Sequence, residues 1–220
     1  MVVAKFVLVA LIGYFIGAIP FALIISKRMA GVDISKRGSG NIGGTNVLRV
    51  IGYKAGVITV ILDLAKAIVP VVLARFIIGD SLLPVAGFTL DWRWGQVITA
   101  LMVMVGHNWS IYIKFRGGKG AAVYYGSWFA IWPIVGLFGG VILIITVLLS
   151  KYMSLGSILG SLSILCLFIV LTLTDASPPV YLIYSVLAAG LLVYQHRSNI
   201  SRLQTGTESR MDQGPHKLDL

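Results

Sequence analysis

Six apolar stretches, each close to the length a bilayer demands, divide this chain at roughly 3–25, 55–78, 96–113, 121–149, 155–173 and 180–195. A hydrocarbon core about 30 Å thick takes about 20 residues of helix to cross. Lipid offers no partner to an unpaired N–H or C=O, so each stretch is predicted to be α-helical. Only 12% of the residues are charged and 57% are hydrophobic. A soluble domain carries about 25% charge, so a water-facing globule is excluded and an all-α integral membrane protein is expected.

Eighteen Lys and Arg stand against eight Asp and Glu. In a soluble protein that surplus would suggest nucleic acid. In a membrane chain it orients the loops and meets anionic headgroups, and no nucleic-acid partner is expected. The loop 27–54 holds Lys27, Arg28, Lys36, Arg37, Arg49 and Lys54 against Asp33 alone, and 106–120 adds Lys114, Arg116 and Lys119 with no acid. Between them, 79–95 has Asp80 and Asp91 against Arg93. Basic loops stay in the cytoplasm, which puts the N-terminus outside. The stretch 121–149 then decides the parity. Pro133, Gly136, Gly139 and Gly140 can break it into two crossings; 29 residues are short for two, so one or both are expected to tilt or stop before the far side. The expected topology has about seven transmembrane helices and a cytoplasmic C-terminus. The first run is too long for a signal-peptide core and ends in "SKR", so no cleavable signal is expected. Lone Cys166 cannot form a disulfide within the chain, and no metal site is expected.

Four polar segments would then share the inner face: 38–49, 106–120, 151–157 and 196–208. In "GSGNIGGTNVLR" the glycines allow positive φ and close backbone approach, which suits an anion nest. Ser39, Asn41, Thr45 and Asn46 add side-chain donors and Arg49 a charge. If this segment is helical, Asn41, Thr45 and Arg49 share a face; it is no Walker loop, because the Lys-Ser/Thr ending is missing. In "GHNWSIYIKFRGGKGAA", Lys119 sits among glycines, Gly118 included, where it can meet phosphate as a point charge. Lys114 and Arg116 read better as snorkelling anchors. His107 has no neighbouring Asp in sequence to orient it, so packing competes with base chemistry. Ser154 and Ser157 stand one turn apart at the start of a span, as caps or anion donors. His196 and Asn199 share a face if the last span continues past its end. Asp63 and Lys66 are i, i+3 inside the apolar zone, where ionisable residues are expensive; an internal ion pair supporting the site is the expected role. Residues 1–208 are expected to form one domain, with a polar, disordered tail from Ser209 to Leu220.

Together, "GSGNIGGTNVLR", "DLAKAIVP", "GHNWSIYIKFRGGKGAA", "SLGS" and "HRSNISRLQTGTE" resemble the PlsY-type glycerol-3-phosphate acyltransferases of bacteria, in the family's order, over about 38–208. Gly44 replaces a usual alanine, "NWS" a proline-containing stretch, and Ala121–Ala122 a Val-Ala. The resemblance implies a multi-pass enzyme of the bacterial cytoplasmic (inner) membrane with a cytoplasmic-side site. It would pass a fatty acyl group from acyl phosphate to the 1-hydroxyl of glycerol 3-phosphate, giving lysophosphatidic acid and phosphate, with no cofactor. By the same resemblance Ser39, Arg49, Lys119, His196 and Asn199 are catalytic. Gly38, Gly40, Asn41, Thr45, Asn46, Gly118, Ser154 and Ser157 bind substrate, and Asp63, Lys66 and His107 support them. A monomer, coupled in function to the enzyme that makes acyl phosphate, is expected. Two rivals remain: a transporter for an anionic solute, whose polar groups should line a midplane path, and a transferase using acyl-CoA.

Overall fold

The structure, a computed structural model, describes residues 1–212. In order these form α1 (Val2–Gly17), α2 (Phe21–Ala30), α3 (Gly44–Val50), α4 (Tyr53–Ile78), β1 (Leu83–Val85), β2 (Phe88–Leu90), α5 (Trp92–Asn108), α6 (Ala121–Ile131), α7 (Pro133–Ser150), α8 (Met153–Leu173), α9 (Pro179–Gln195) and α10 (Arg197–Gln204). The two strands pair antiparallel, Leu83 opposite Leu90. By length and hydropathy, four segments can cross a membrane: Val2–Ala30, Tyr53–Ile78, Pro133–Ser150 and Met153–Leu173. A fifth is added if α9 and α10, bent by 58° at their junction, count as one.

Three of the expected spans differ from the helices found. The first is broken, because Pro20 has no N–H to continue the ladder. The carbonyls freed at the break are taken by other elements: Ser110 Oγ donates to Ala18 at 2.6 Å and Lys66 Nζ to Ile19 at 2.8 Å. The third begins earlier and ends at Asn108. Asp91 caps it by accepting the Arg93 N–H at 2.9 Å. Residues 109–113 leave the helix for a loop closed by the Ser110–Arg116 bridge, with Lys114 and Phe115 both at φ 57°. The stretch 121–149 divides at Trp132. Pro133 opens α7 where its missing N–H costs nothing.

The chain reverses at that division. A Cβ on Gly136 would lie 2.8 Å from the Phe129 backbone nitrogen, far closer than seven residues along one helix allow. With 11 residues, α6 is about 16 Å long, half a bilayer. Inside the bundle Trp128 stacks on Phe168, centroids 4.6 Å apart, and packs on Tyr184 at 4.8 Å. Where α1 crosses α5, a Cβ on Gly13 would come 2.7 Å from the Thr99 carbonyl oxygen, the close backbone approach that small residues permit between membrane helices. The outer faces are apolar: Leu149 is 81% and Phe76 74% exposed. Cys166 is exposed on α8.

Candidate active site

The Gly-rich loop is organised around one side chain. Asn46, buried, accepts the Ser39 N–H on Oδ1 at 3.0 Å, and its Nδ2 donates to the carbonyls of Ile34, Arg37 and Asn41 at 3.0–3.3 Å. Gly38 and Gly40 adopt φ +56° and +69°, where a Cβ is strained. Asn46 therefore departs from the expected role of substrate ligand: its polar atoms hold the loop closed. Asn41 precedes α3, so the expected common face shrinks to Thr45 and Arg49 on a seven-residue helix.

Beyond that loop, residues from four segments meet. Arg49 Nη2 donates to the Ser209 carbonyl at 2.8 Å and approaches Met211 Sδ at 3.7 Å, while its buried Nε has no hydrogen-bond partner among the described residues. Lys119 Nζ donates to Asn199 Oδ1. The Glu208 carboxylate, 8% exposed, accepts from Ser154 Oγ at 2.7 Å, Asn199 Nδ2 at 2.6 Å and Arg202 Nε at 2.7 Å. Lys119 precedes α6 and Ser154 opens α8, so α6 and α7 leave one end of the bundle and return to it. Of the expected tail, Ser209 and Met211 meet Arg49, and the Met211 N–H donates to the Lys151 carbonyl at 2.8 Å. The rest of that tail, 213–220, falls outside the described residues.

Three cations, Arg49, Lys119 and Arg202, surround one carboxylate, and the surplus shows in their ionisation. Burial, with Arg202 and Arg49 nearby, brings Lys119 down to about 8 against the pull of Glu208. Burial also lowers Arg49. Burial alone would raise Glu208, but the hydrogen bonds from Ser154, Asn199 and Arg202 hold it below its ordinary value. Such a cluster is short of negative charge and can take an anion.

His196 is buried, and its Nδ1 lies 2.8 Å from the Leu192 carbonyl. A carbonyl only accepts, so Nδ1 carries the proton and Nε2 is left as an acceptor. Burial pushes this imidazole down to about 4. The Ser157 hydroxyl donates to the Met153 carbonyl of its own helix at 2.9 Å. Asp63 pairs with Lys66 at 2.8 Å, and His107 Nδ1 lies 3.9 Å from Asp63 Oδ1. The acid nearest His107 thus comes from α4, beyond hydrogen-bond reach. The His107 carbonyl in turn accepts the Gly118 N–H at 3.1 Å, and a Cβ on Gly118 would overlap His107 Nε2 and come 2.8 Å from the Ile42 carbonyl oxygen. His107 thus touches the backbone of the Lys119 loop, and Lys66 the α1–α2 break. Sequence reading missed Glu208 and Arg202 as site members. The available signal was that Glu208 is the single acid in 196–208.

A family model described as glycerol-3-phosphate acyltransferase matches residues 7–206. Glycerol-3-phosphate acyltransferase 3 of Dehalococcoides mccartyi is 38% identical over 213 residues, covering 97% of this chain and 99% of the relative. A glycerol-3-phosphate acyltransferase of a Thermoanaerobacter species is 40% identical over 207 residues, covering 94% and 96%. Among solved structures, the integral membrane glycerol 3-phosphate acyltransferase PlsY superimposes in its glycerol 3-phosphate form with a TM-score of 0.81 at 33% identity, covering 93% of this chain and 94% of that one. Its lysophosphatidic acid form gives 0.80 at 34% over the same shares.

Proposed function

The chain belongs to the glycerol-3-phosphate acyltransferase family, and from that premise we propose that it transfers a fatty acyl group from acyl phosphate to the 1-hydroxyl of glycerol 3-phosphate, releasing lysophosphatidic acid and inorganic phosphate. The observation that carries this reading is the half-buried cluster of Arg49, Lys119 and Asn199, drawn from segments far apart in the chain. Two phosphorylated substrates repel each other: at 4 Å and an effective dielectric near 20, a pair of unit charges costs about 4 kcal/mol. Cations close to both anions offset that.

In this reading the donor's phosphate sits on the 38–44 backbone with Ser39, Asn41, Thr45 and Gly118, and Ser154 reaches it by exchanging its Glu208 bond. Arg49, His196 and Asn199 hold glycerol 3-phosphate, and Lys119 lies between the two phosphates. Glu208 orients Asn199 and Arg202. The acceptor oxygen attacks the acyl carbon, the carbon–oxygen bond to phosphate breaks, and the phosphate oxygen takes the hydroxyl proton. A neutral, weakly basic His196 supports this substrate-assisted route, with Nε2 accepting from an acceptor hydroxyl. His196→Ala is then expected to raise KM for glycerol 3-phosphate about 10-fold, the loss of one hydrogen bond, and to leave the pH–rate profile unshifted. A lost ionisation near neutrality with KM unchanged would make His196 the base.

Gly118→Ala tests the loop. Its methyl meets His107 and the Ile42 carbonyl, so Lys119 must shift, and a displacement of about 1 Å is expected to lower kcat/KM about 100-fold. We place the site on the cytoplasmic side of a bacterial inner membrane, the N-terminus outside, with about seven transmembrane helices, α6 short of the far side, in a single domain ending near residue 208. The return of α6–α7 to one end supports that parity, and the basic loops support the orientation. Function as a monomer, fed by the enzyme that makes acyl phosphate, completes the reading. Purified protein with labelled glycerol 3-phosphate should form product with palmitoyl phosphate and none with palmitoyl-CoA. Product from the thioester alone selects the acyl-CoA rival, and none from either revives the transporter.

A further inference from the structure

The opposite end of the bundle holds a second polar constellation. Arg75 lies about six turns along α4 from Tyr53, about 33 Å away by helical rise. There α6 stops at Ile131 and leaves a cavity of about 330 Å³, lined by Val72, Arg75, Phe76, Gln96, Ala130 and Ile131. That volume lies in the range of ligand pockets. Arg75 sits 4.4 Å over the Trp92 ring, which also carries Arg93 at 5.2 Å. Arg93 is paired with Asp91 at 3.1 Å, whereas Arg75 has no acid within ion-pair reach among the described residues. Gln96 is 3% exposed. Its Nε2 donates to the Val71 carbonyl at 3.4 Å and its buried Oε1 has no hydrogen-bond partner.

We propose that this cavity binds an anionic phospholipid with a hydroxyl-bearing head group, of the phosphatidylglycerol class, from the leaflet opposite the acyl-transfer site. Four apolar walls suit an acyl chain. An unpaired guanidinium held by ring stacking suits a phosphodiester, for which its forked donors are shaped. A buried acceptor without a partner calls for a donor, and a head-group hydroxyl provides one. Neither polar group takes part in acyl transfer.

The test uses the full-length protein exchanged into micelles of equimolar phosphatidylglycerol and phosphatidylcholine, with retained lipid counted by native mass spectrometry. The wild type should retain phosphatidylglycerol about 10-fold over phosphatidylcholine, the worth of one charge-assisted bond. The preference should persist at 0.3 M salt, where general attraction to a chain of net charge +10 is screened. Arg75→Gln should abolish it, Arg75→Lys should keep part of it, and acyl transfer should be unchanged in both, which also reports that they fold. Gln96→Leu should weaken phosphatidylglycerol retention and leave phosphatidic acid, which lacks the hydroxyl head group, unaffected. Equal retention of the two lipids by the wild type, or a preference that survives Arg75→Gln, overturns the proposal.

Discussion

Lys119→Ala is expected to lower kcat/KM for glycerol 3-phosphate about 1,000-fold, a loss of about 4 kcal/mol in the range for truncating one partner of a buried charge pair. The ammonium lies inside a cationic cluster, bonded to Asn199, and in the proposed reaction it meets both phosphates, so KM should rise while kcat falls. Its ionisation adds a second signature. Burial and the two arginines bring Lys119 to about 8, and only the protonated form attracts an anion. The free enzyme thus loses its cation as pH rises through 8, and kcat/KM should fall above that value with unit slope. On the acid side, the limb should follow substrate phosphate protonation near pH 6. Lys119→Arg keeps the charge at all accessible pH values and should remove the alkaline limb, at a lower plateau because a planar fork replaces a point charge. An alkaline limb unchanged in Lys119→Arg would assign the ionisation to another group.

Asp63→Ala should be the most damaging change to stability. Asp63 and Lys66 are both about 97% buried, 2.8 Å apart in the middle of α4. Removing the carboxylate strands the ammonium in an apolar bundle, which costs about 3–5 kcal/mol. It also loosens the cap on the Ile19 carbonyl. Thermal unfolding in detergent should show a large fall in midpoint. Because a buried pair replaced as a whole is close to neutral, Asp63→Ala with Lys66→Met should recover most of that loss. If the double variant is no more stable than the single one, the carboxylate matters through His107 and the Lys119 loop rather than through Lys66.

The long helices were legible because hydropathy and length are local. The spans read at 55–78, 155–173 and 180–195 lie within two residues of α4, α8 and α9. The run at 96–113 misled because "WSIYI" continues the apolar pattern past Asn108, while a pairing between Ser110 and Arg116 takes those residues out of the helix. Pro133 marked the division of 121–149, but the reversal there depends on Gly136 meeting Phe129. Among the site residues, Arg49, Lys119 and Asn199 were visible as charge and amide in polar, glycine-rich surroundings. The loop-holding bonds of Asn46 were invisible, since an amide that staples a loop and one that binds a ligand look alike in a string of letters. Glu208 was passed over because an acid in a basic stretch reads as local neutralisation until its three donors are seen.

Apolar length and the sign of loop charge act residue by residue against the solvent, so the sequence alone determined a helical membrane chain with polar, cation-bearing segments gathered at one end. Which atoms meet there was decided only by the tertiary structure: the approach of Asp63 and His107 across two helices, Glu208 gripping Ser154, Asn199 and Arg202, and the half-length α6 over a far-side cavity. The longest of these contacts join residues about fifty positions apart, and their energies exist only once the helices have packed.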